Sequence, residues 1–182
     1  MAELRRSIAL SAAESYIGVA IQLVSTVVLS RILTPAEVGA FAVAAVFTAL
    51  ASNFRDFGIA EYLIQLNKLT DRHIRSAFAI NIITSWSMAA LIFGGSTWTG
   101  EFYKSETITS IMRVQAFNFL FIPFGAINMA WFRRQLDFKP LFYCGVGSSV
   151  VSLAVSIGLA LSGFGAMSLA WASLAGILTT VA

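Results

Sequence analysis

The chain has 182 residues, 58% of them hydrophobic and only 12% charged, with a net charge of +3 and a mean hydropathy of +0.80. Soluble domains run about 45–50% apolar and about 25% charged, whereas residues 76–100 and 140–182 here carry no charge at all. A soluble catalytic domain is excluded. So is a nucleic-acid-binding surface, because the Lys and Arg residues cluster between apolar runs and form no basic stripe. Cys144 is alone, which leaves no disulfide and no thiol-based metal or redox motif. The composition predicts an all-α, polytopic bundle of membrane helices.

Six apolar segments follow in chain order, at about 8–30, 36–57, 75–98, 107–131, 140–161 and 166–182. Each is long enough, or nearly so, to cross a hydrocarbon core of about 30 Å as a helix. The basic start, MAELRRSIALSAAESYIG, has the look of a signal peptide. However, Glu14 interrupts any short apolar core and the run continues to Ser30, so an uncleaved first membrane helix is expected.

In this first segment Ser7, Ser11, Glu14, Gly18, Gln22 and Ser25 recur every three or four residues, which places them on one helix face. A carboxylate and an amide on that stripe cannot face lipid cheaply. Two readings stand. The face packs on neighbouring helices, with Glu14 paired or neutral, or it lines a water-filled cavity. Low dielectric would raise the pKa of a buried Glu14, which makes proton carriage a chemical option.

The stretch SRILTPAEVGAF reads as a tight reversal. Arg31 ends the first helix, suited to its negative dipole end. Thr34, Pro35 and Glu37 occupy N-cap, N1 and N3 of the second, a capping box with proline at its favoured place. Deeper in the second helix Thr48, Ser52 and Arg55 share a face, with Asp56 beside the arginine. Arg55 either anchors the cytoplasmic end of the helix or turns a guanidinium inward, where its planar fork suits an anionic headgroup.

The segment between the second and third helices, about residues 58–74, is too short for a catalytic domain and has room for a short interfacial helix. His73 reads as a solvated loop residue there. In the fourth helix Arg113 lies about one turn from the outer end, Asn118 is deeper, and Pro123 removes one backbone bond and bends the helix. Arg113 either snorkels outward or faces a cavity. Gly145, Ser149, Ser152, Ser156 and Ala160 of the fifth helix form a small-residue face, expected to pack. The last run, GAMSLAWASLAGILTTVA, stops without a polar anchor. A longer protein is therefore expected, of which residues 1–182 form the N-terminal transmembrane lobe.

Arg5, Arg6, Lys68, Arg72, Arg75, Arg133, Arg134 and Lys139 all fall on one side of this arrangement. The positive-inside rule then places the N-terminus in the cytoplasm, with Trp98, Tyr103, Trp131 and Tyr143 as interfacial aromatics. No nucleophile–base set, metal-ligand cluster or phosphate-binding glycine loop occurs at usable spacing, so no cofactor, no metal and no catalysis are expected.

Several stretches together resemble the lipid-linked oligosaccharide flippases of polysaccharide export, within the multidrug/oligosaccharidyl-lipid/polysaccharide transporter superfamily, and in particular its exopolysaccharide and colanic-acid branch. SRILTPAEVGAFAVA resembles the reversal between that family's first two helices, and DFGIAEYLIQLNKLTDRHIRSAFAIN its second-helix exit, cytoplasmic loop and third-helix entry. FRRQLDFKPL is similar to its basic loop between helices four and five, and GFGAMSLAWASLAG to its glycine turn into helix six.

The resemblance implies one lobe of a two-lobe transporter in the bacterial inner membrane that works by alternating access. Its substrate would be a polyprenyl-diphosphate-linked oligosaccharide, moved from the cytoplasmic to the outer leaflet. It further implies membrane lipids, proton or sodium coupling, and other polysaccharide export proteins as partners. Related peptidoglycan-precursor flippases line their cavity with arginines, one near the end of helix two, to which Arg55 corresponds. The cavity candidates are thus Arg55, Glu14, Gln22, Arg113 and Asn118. The competing functions are a drug or cation exporter of the same superfamily, with acidic cavity residues; a glycosyltransferase or polymerase, which needs a large outer loop or catalytic acids; and a non-catalytic assembly subunit.

Overall fold

The computed structural model describes the chain over residues 2–55, 71–134 and 138–181, as helices joined by short turns. Six helices occur among the described residues: α1 (Ala2–Ile32), α2 (Pro35–Arg55), α3 (Asp71–Phe102), α4 (Glu106–Arg134), α5 (Phe138–Leu161) and α6 (Met167–Val181). Ser15–Ile32, Pro35–Arg55, Phe78–Phe102 and Pro140–Leu161 are long and apolar enough to cross a membrane. The protein is an all-α membrane bundle.

Three tight turns fix the end of the bundle where α1, α3 and α5 finish. Between α1 and α2, the Thr34 amide and hydroxyl both donate to Glu37 Oε2, at 2.8 and 2.7 Å, and the Glu37 amide donates back to Thr34 Oγ1 at 3.3 Å. This reciprocal cap satisfies the first backbone donors of α2. Between α5 and α6, Gly163 (φ +83°) ends the helix in the left-handed region. The Gly163 amide donates to the Ala160 carbonyl and that of Phe164 to Leu159, both at 3.1 Å, which is a Schellman closure.

Gly165, also left-handed at φ +53°, lies directly against the Glu37 carboxylate, so that a Cβ there would collide with Oε1. One acid thus caps α2 and packs on the α5–α6 turn. Between α3 and α4, Lys104 takes φ +51° and the Ser105 amide reaches the Gly100 carbonyl at 2.9 Å. Gly100 has no Cβ to hold off Thr109, which sits over it.

Helix α4 is the centre of the bundle, packed by α2, α3, α5 and α6, while α1 packs on α5. Its Ile111 and Phe119 are fully buried, with Ile108, Met112, Val114 and Ala116 close to it. These join Ala44 and Ala51 of α2, Ala89 and Ile92 of α3, and Ala166 and Ala170 at the start of α6 in one core. Leu29 and Leu33 close on Ala160 in a second, smaller cluster. Burying α4 among its neighbours lets it hold Gln115 and Asn118, which would be costly on a lipid-facing surface. The outer surface is instead apolar: Leu23 and Val27 of α1, Leu50 of α2, and Ile83 and Leu91 of α3 are all exposed. This inside-out pattern is what hydrocarbon as solvent requires.

The helices exceed the expected segments mainly at α1, which starts six residues before 8–30 and ends two after it, and at α3, which runs four residues further at each end than 75–98. Arg72, His73 and Arg75 accordingly belong to the opening turns of a helix, where a loop was expected. An interfacial helix in 58–70 falls outside the described residues. Pro123 sits inside α4 without ending it.

Candidate functional site

A polar groove of about 400 Å³ opens between α1, α5 and α6. Gly18, Gln22 and Ser25 form its α1 wall, Ser148, Ser149 and Ser152 its α5 wall, and Ser173, Gly176 and Thr180 its α6 wall. The α1 wall is the periodic stripe of the first segment. It turns toward α5 and α6 because the opposite face of α1, with Val19, Leu23 and Val27, is apolar and exposed. Gly18 keeps that wall low, since no neighbouring atom comes within 4 Å of where its Cβ would lie.

The small-residue face of α5 divides along its length. Ser156 and Ala160 are buried near the turn end, as expected for packing. Ser149 and Ser152 border the groove, although the sequence spacing predicted packing for them as well. The physical reason is splay. Near the turns Leu29 and Leu33 of α1 close on Ala160, while further along α1 the facing residues are Gly18, Ile21, Gln22 and Ser25, of which only Ile21 is large and apolar.

Four of the six hydroxyls of this lining are already committed as donors. Ser148 and Ser149 both donate to the Gly145 carbonyl, at 3.0 and 2.8 Å. Ser173 donates to Ala170 at 2.7 Å and Thr180 to Gly176 at 3.0 Å. Each carbonyl belongs to the same helix as its serine or threonine, three or four residues back, so the hydroxyl hydrogen is drawn toward the helix.

Behind Ser173 lies a buried polar link to α4. Asn118 Nδ2 donates to Ser173 Oγ at 3.0 Å and to Gln115 Oε1 at 2.9 Å. Asn118 and Gln115 retain only 3% and 4% of their exposure. Asn118 Oδ1 is buried with no hydrogen-bond partner, an arrangement that costs free energy unless water or a ligand supplies a donor.

Arg55 is in the last turn of α2 and is buried, with its guanidinium carbon 5.6 Å from the centre of the Phe119 ring. It therefore lies inside the packed bundle, against the middle of α4. Arg113 is different. It is exposed, stacked 5.6 Å over Phe93, with Nη2 reaching Thr97 Oγ1 at 3.5 Å. The Glu14 side chain lies outside the described residues. Of the five candidates, Gln22 and Asn118 therefore belong to one site, Gln22 on its wall and Asn118 one hydrogen bond behind it. Arg55 and Arg113 meet separate aromatic rings elsewhere.

A second recess, of about 670 Å³, runs between α2 and α3 and is lined almost wholly by apolar side chains, among them Phe47, Phe54, Leu91, Trp98, Phe102 and Met112.

Sequence reasoning missed Gln115 and the α6 wall. The signal was present in both. Gln115 and Asn118 are three residues apart, and Ser173, Gly176 and Thr180 repeat at three and four, the same spacing that marked α1. Without knowing that α6 faces α1, nothing distinguishes such a run from ordinary helix packing.

The sequence profile described as "Polysaccharide biosynthesis protein" matches residues 28–182. Over 140 residues the chain is 28% identical to the Teichuronic acid biosynthesis protein TuaB of Bacillus subtilis (strain 168), covering 75% of this chain and 29% of that protein. Over 131 residues it is 25% identical to the Lipopolysaccharide biosynthesis protein WzxC of Escherichia coli (strain K12), covering 72% of this chain and 27% of that one. The chain thus spans less than a third of the length of these curated relatives. No solved structure matches.

Proposed function

Because the chain belongs to the polysaccharide biosynthesis protein family, we propose that it is one lobe of a transporter that carries polyprenyl-diphosphate-linked oligosaccharides across the membrane. The direction is from the cytoplasmic to the outer leaflet of a bacterial inner membrane, with the N-terminus of the chain in the cytoplasm. The observation that carries this reading is the polar groove. A bundle whose outer surface is apolar nevertheless holds an open cleft walled by Gln22, six hydroxyl side chains and two glycines, with Ile21, Leu153 and Ile177 between them.

The physics of the task calls for such a cleft. A hydrated sugar and a diphosphate cannot cross hydrocarbon unaided, while a polyprenyl tail can remain in it. The transporter must supply polar walls for the sugar and a cation for the phosphates. Arg55 is our candidate for the cation. A charge pair about 4 Å apart at an effective dielectric of 20 gains about 4 kcal/mol before desolvation is counted, enough to hold a headgroup without trapping it. Alternating access would come from the rocking of this lobe against another, with Glu14 the candidate for proton coupling and a bound sodium ion the alternative drive.

The test is deletion of the gene in its native host, followed by analysis of the lipid-linked sugars. The expected outcome is loss of the exported polysaccharide and accumulation of its lipid-linked repeat unit in the cytoplasmic leaflet. Wild-type export in the deletion strain would overturn the reading.

A further inference from the structure

The groove between α1, α5 and α6 has a chemical bias that goes beyond its being polar. A hydroxyl carries one hydrogen and two lone pairs. Four of the lining hydroxyls, on Ser148, Ser149, Ser173 and Thr180, spend that hydrogen on a carbonyl of their own helix. On these four, lone pairs are what remain to face the groove, while Ser25, Ser152 and the Gln22 amide keep hydrogens to donate. Ser173 spends one of its own on Asn118 Nδ2. Behind it the buried Oδ1 of Asn118 adds a further acceptor with no donor. The described lining contains no Lys, Arg or His.

Such a wall is a poor match for what the other end of the proposed substrate carries. Diphosphate oxygens are acceptors only, and in the described lining they would meet few donors and no cation to offset their charge. A carboxylate of an acidic sugar would fare the same. A neutral saccharide fits, because each of its hydroxyls can donate to a lone pair on the wall and then accept from Gln22, whose amide carries both functions.

We infer that the α1–α5–α6 groove is the seat of a neutral sugar of the oligosaccharide, and that the diphosphate is bound elsewhere. The assignment rests on the transport reading above and adds to it which part of the substrate lies here. The volume of about 400 Å³ falls within the range of about 300–1,000 Å³ typical of small-molecule sites. Adjacent residues of α4 serve the two chemistries: Asn118 backs the groove through Ser173, and Phe119 lies beneath Arg55.

The test is cysteine accessibility in the intact protein, in native membranes permeabilised to reagents from both faces. In a Cys144→Ser background, Ser152→Cys and Gln22→Cys place a thiol on two walls, and Leu23→Cys places one on the exposed apolar face of α1. The probes are the repeat oligosaccharide released by mild acid from the host's own lipid-linked pool, inorganic diphosphate, and sodium chloride. At ten times its Kd the oligosaccharide should slow maleimide labelling of both groove thiols about tenfold and leave Leu23→Cys unchanged, while diphosphate and sodium have no effect. Protection by diphosphate, protection by sodium alone, or none by the sugar would overturn the assignment. Lipid analysis of the deletion strain keeps the two claims apart. Accumulation of lipid-linked sugar without thiol protection sinks the groove alone, and thiol protection without accumulation sinks the transport reading.

Discussion

Arg55, in the last turn of α2, lies over the ring of Phe119 at the midpoint of α4, with 5.6 Å between guanidinium carbon and ring centre. Phe119 has no exposed surface and Arg55 keeps only 9% of its own. A cation held over an aromatic face in a desolvated site gains about 2 kcal/mol from the ring. The planar guanidinium can stack and still present N–H donors along its edge, which an ammonium cannot. The contact thus fixes the orientation of a charge well inside the bundle.

Arg55→Ala is expected to lower polysaccharide export about tenfold or more, equivalent to at least about 1.4 kcal/mol of lost stabilisation, with protein level in the membrane unchanged. Arg55→Lys should recover only part of it, because the stacked fork is lost. Export assays normalised to membrane protein check this. Normal export by the alanine variant would remove Arg55 from the mechanism.

Arg113 gives the contrasting case. It is exposed and stacks on the half-exposed ring of Phe93, so its removal uncovers no buried partner. Arg113→Ala should leave export within about twofold of wild type, in keeping with the small effect of most exposed substitutions. A loss as deep as that of Arg55→Ala would assign it to the cavity.

At the turn end, Gly165→Ala meets two obstacles, a left-handed backbone and the Glu37 carboxylate. Gly163→Ala meets only the first, since nothing lies within 4 Å of its Cβ position. Thermal unfolding in detergent should show Gly163→Ala costing about 1 kcal/mol and Gly165→Ala costing more. In a Glu37→Ala background the Gly165→Ala penalty should shrink toward that of Gly163→Ala. Equal penalties in both backgrounds would contradict the contact.

Asn118→Ala takes the donors from Ser173 Oγ and Gln115 Oε1 and should destabilise the protein by about 1–3 kcal/mol. Combined with Ser173→Ala, the two effects should fall short of additivity by about 0.5 kcal/mol or more, as for residues sharing a hydrogen bond. Asn118→Asp should be worse than alanine, because it sets an acceptor-only group against two oxygens. Strict additivity in the double variant would mean that α4 and α6 are not linked here.

On α1, Gln22→Leu and Leu23→Gln exchange the characters of adjacent positions on opposite faces. The first should impair export while leaving membrane insertion intact. The second, which puts an amide on a lipid-facing surface, should lower the yield of inserted protein before it affects transport. The reverse pattern would mean that the groove side of α1 is the lipid side.

Much of this molecule is legible in one dimension, because helices in hydrocarbon are local objects. Their backbone bonds close within each segment, so length, apolarity and caps suffice to find them. Thr34, Pro35 and Glu37 announced the start of α2, and Arg31 lies in the last turn of α1. The face shared by Gly18, Gln22 and Ser25 is equally local, since 3.6 residues per turn decides it. Which helix meets that face is a long-range matter. Sequence spacing assigned Ser149 and Ser152 to packing and was silent on Ser173 and Thr180, because small polar residues at helical spacing serve a dry contact and a wet cleft alike. Only the tertiary arrangement separates these outcomes. It clamps α1 to α5 near the turns through Leu29, Leu33 and Ala160 and leaves Ser25, Gln22 and Gly18 facing open space. It likewise carries Arg55 from the end of a helix to the centre of the bundle, a placement that depends on how α2 crosses α4.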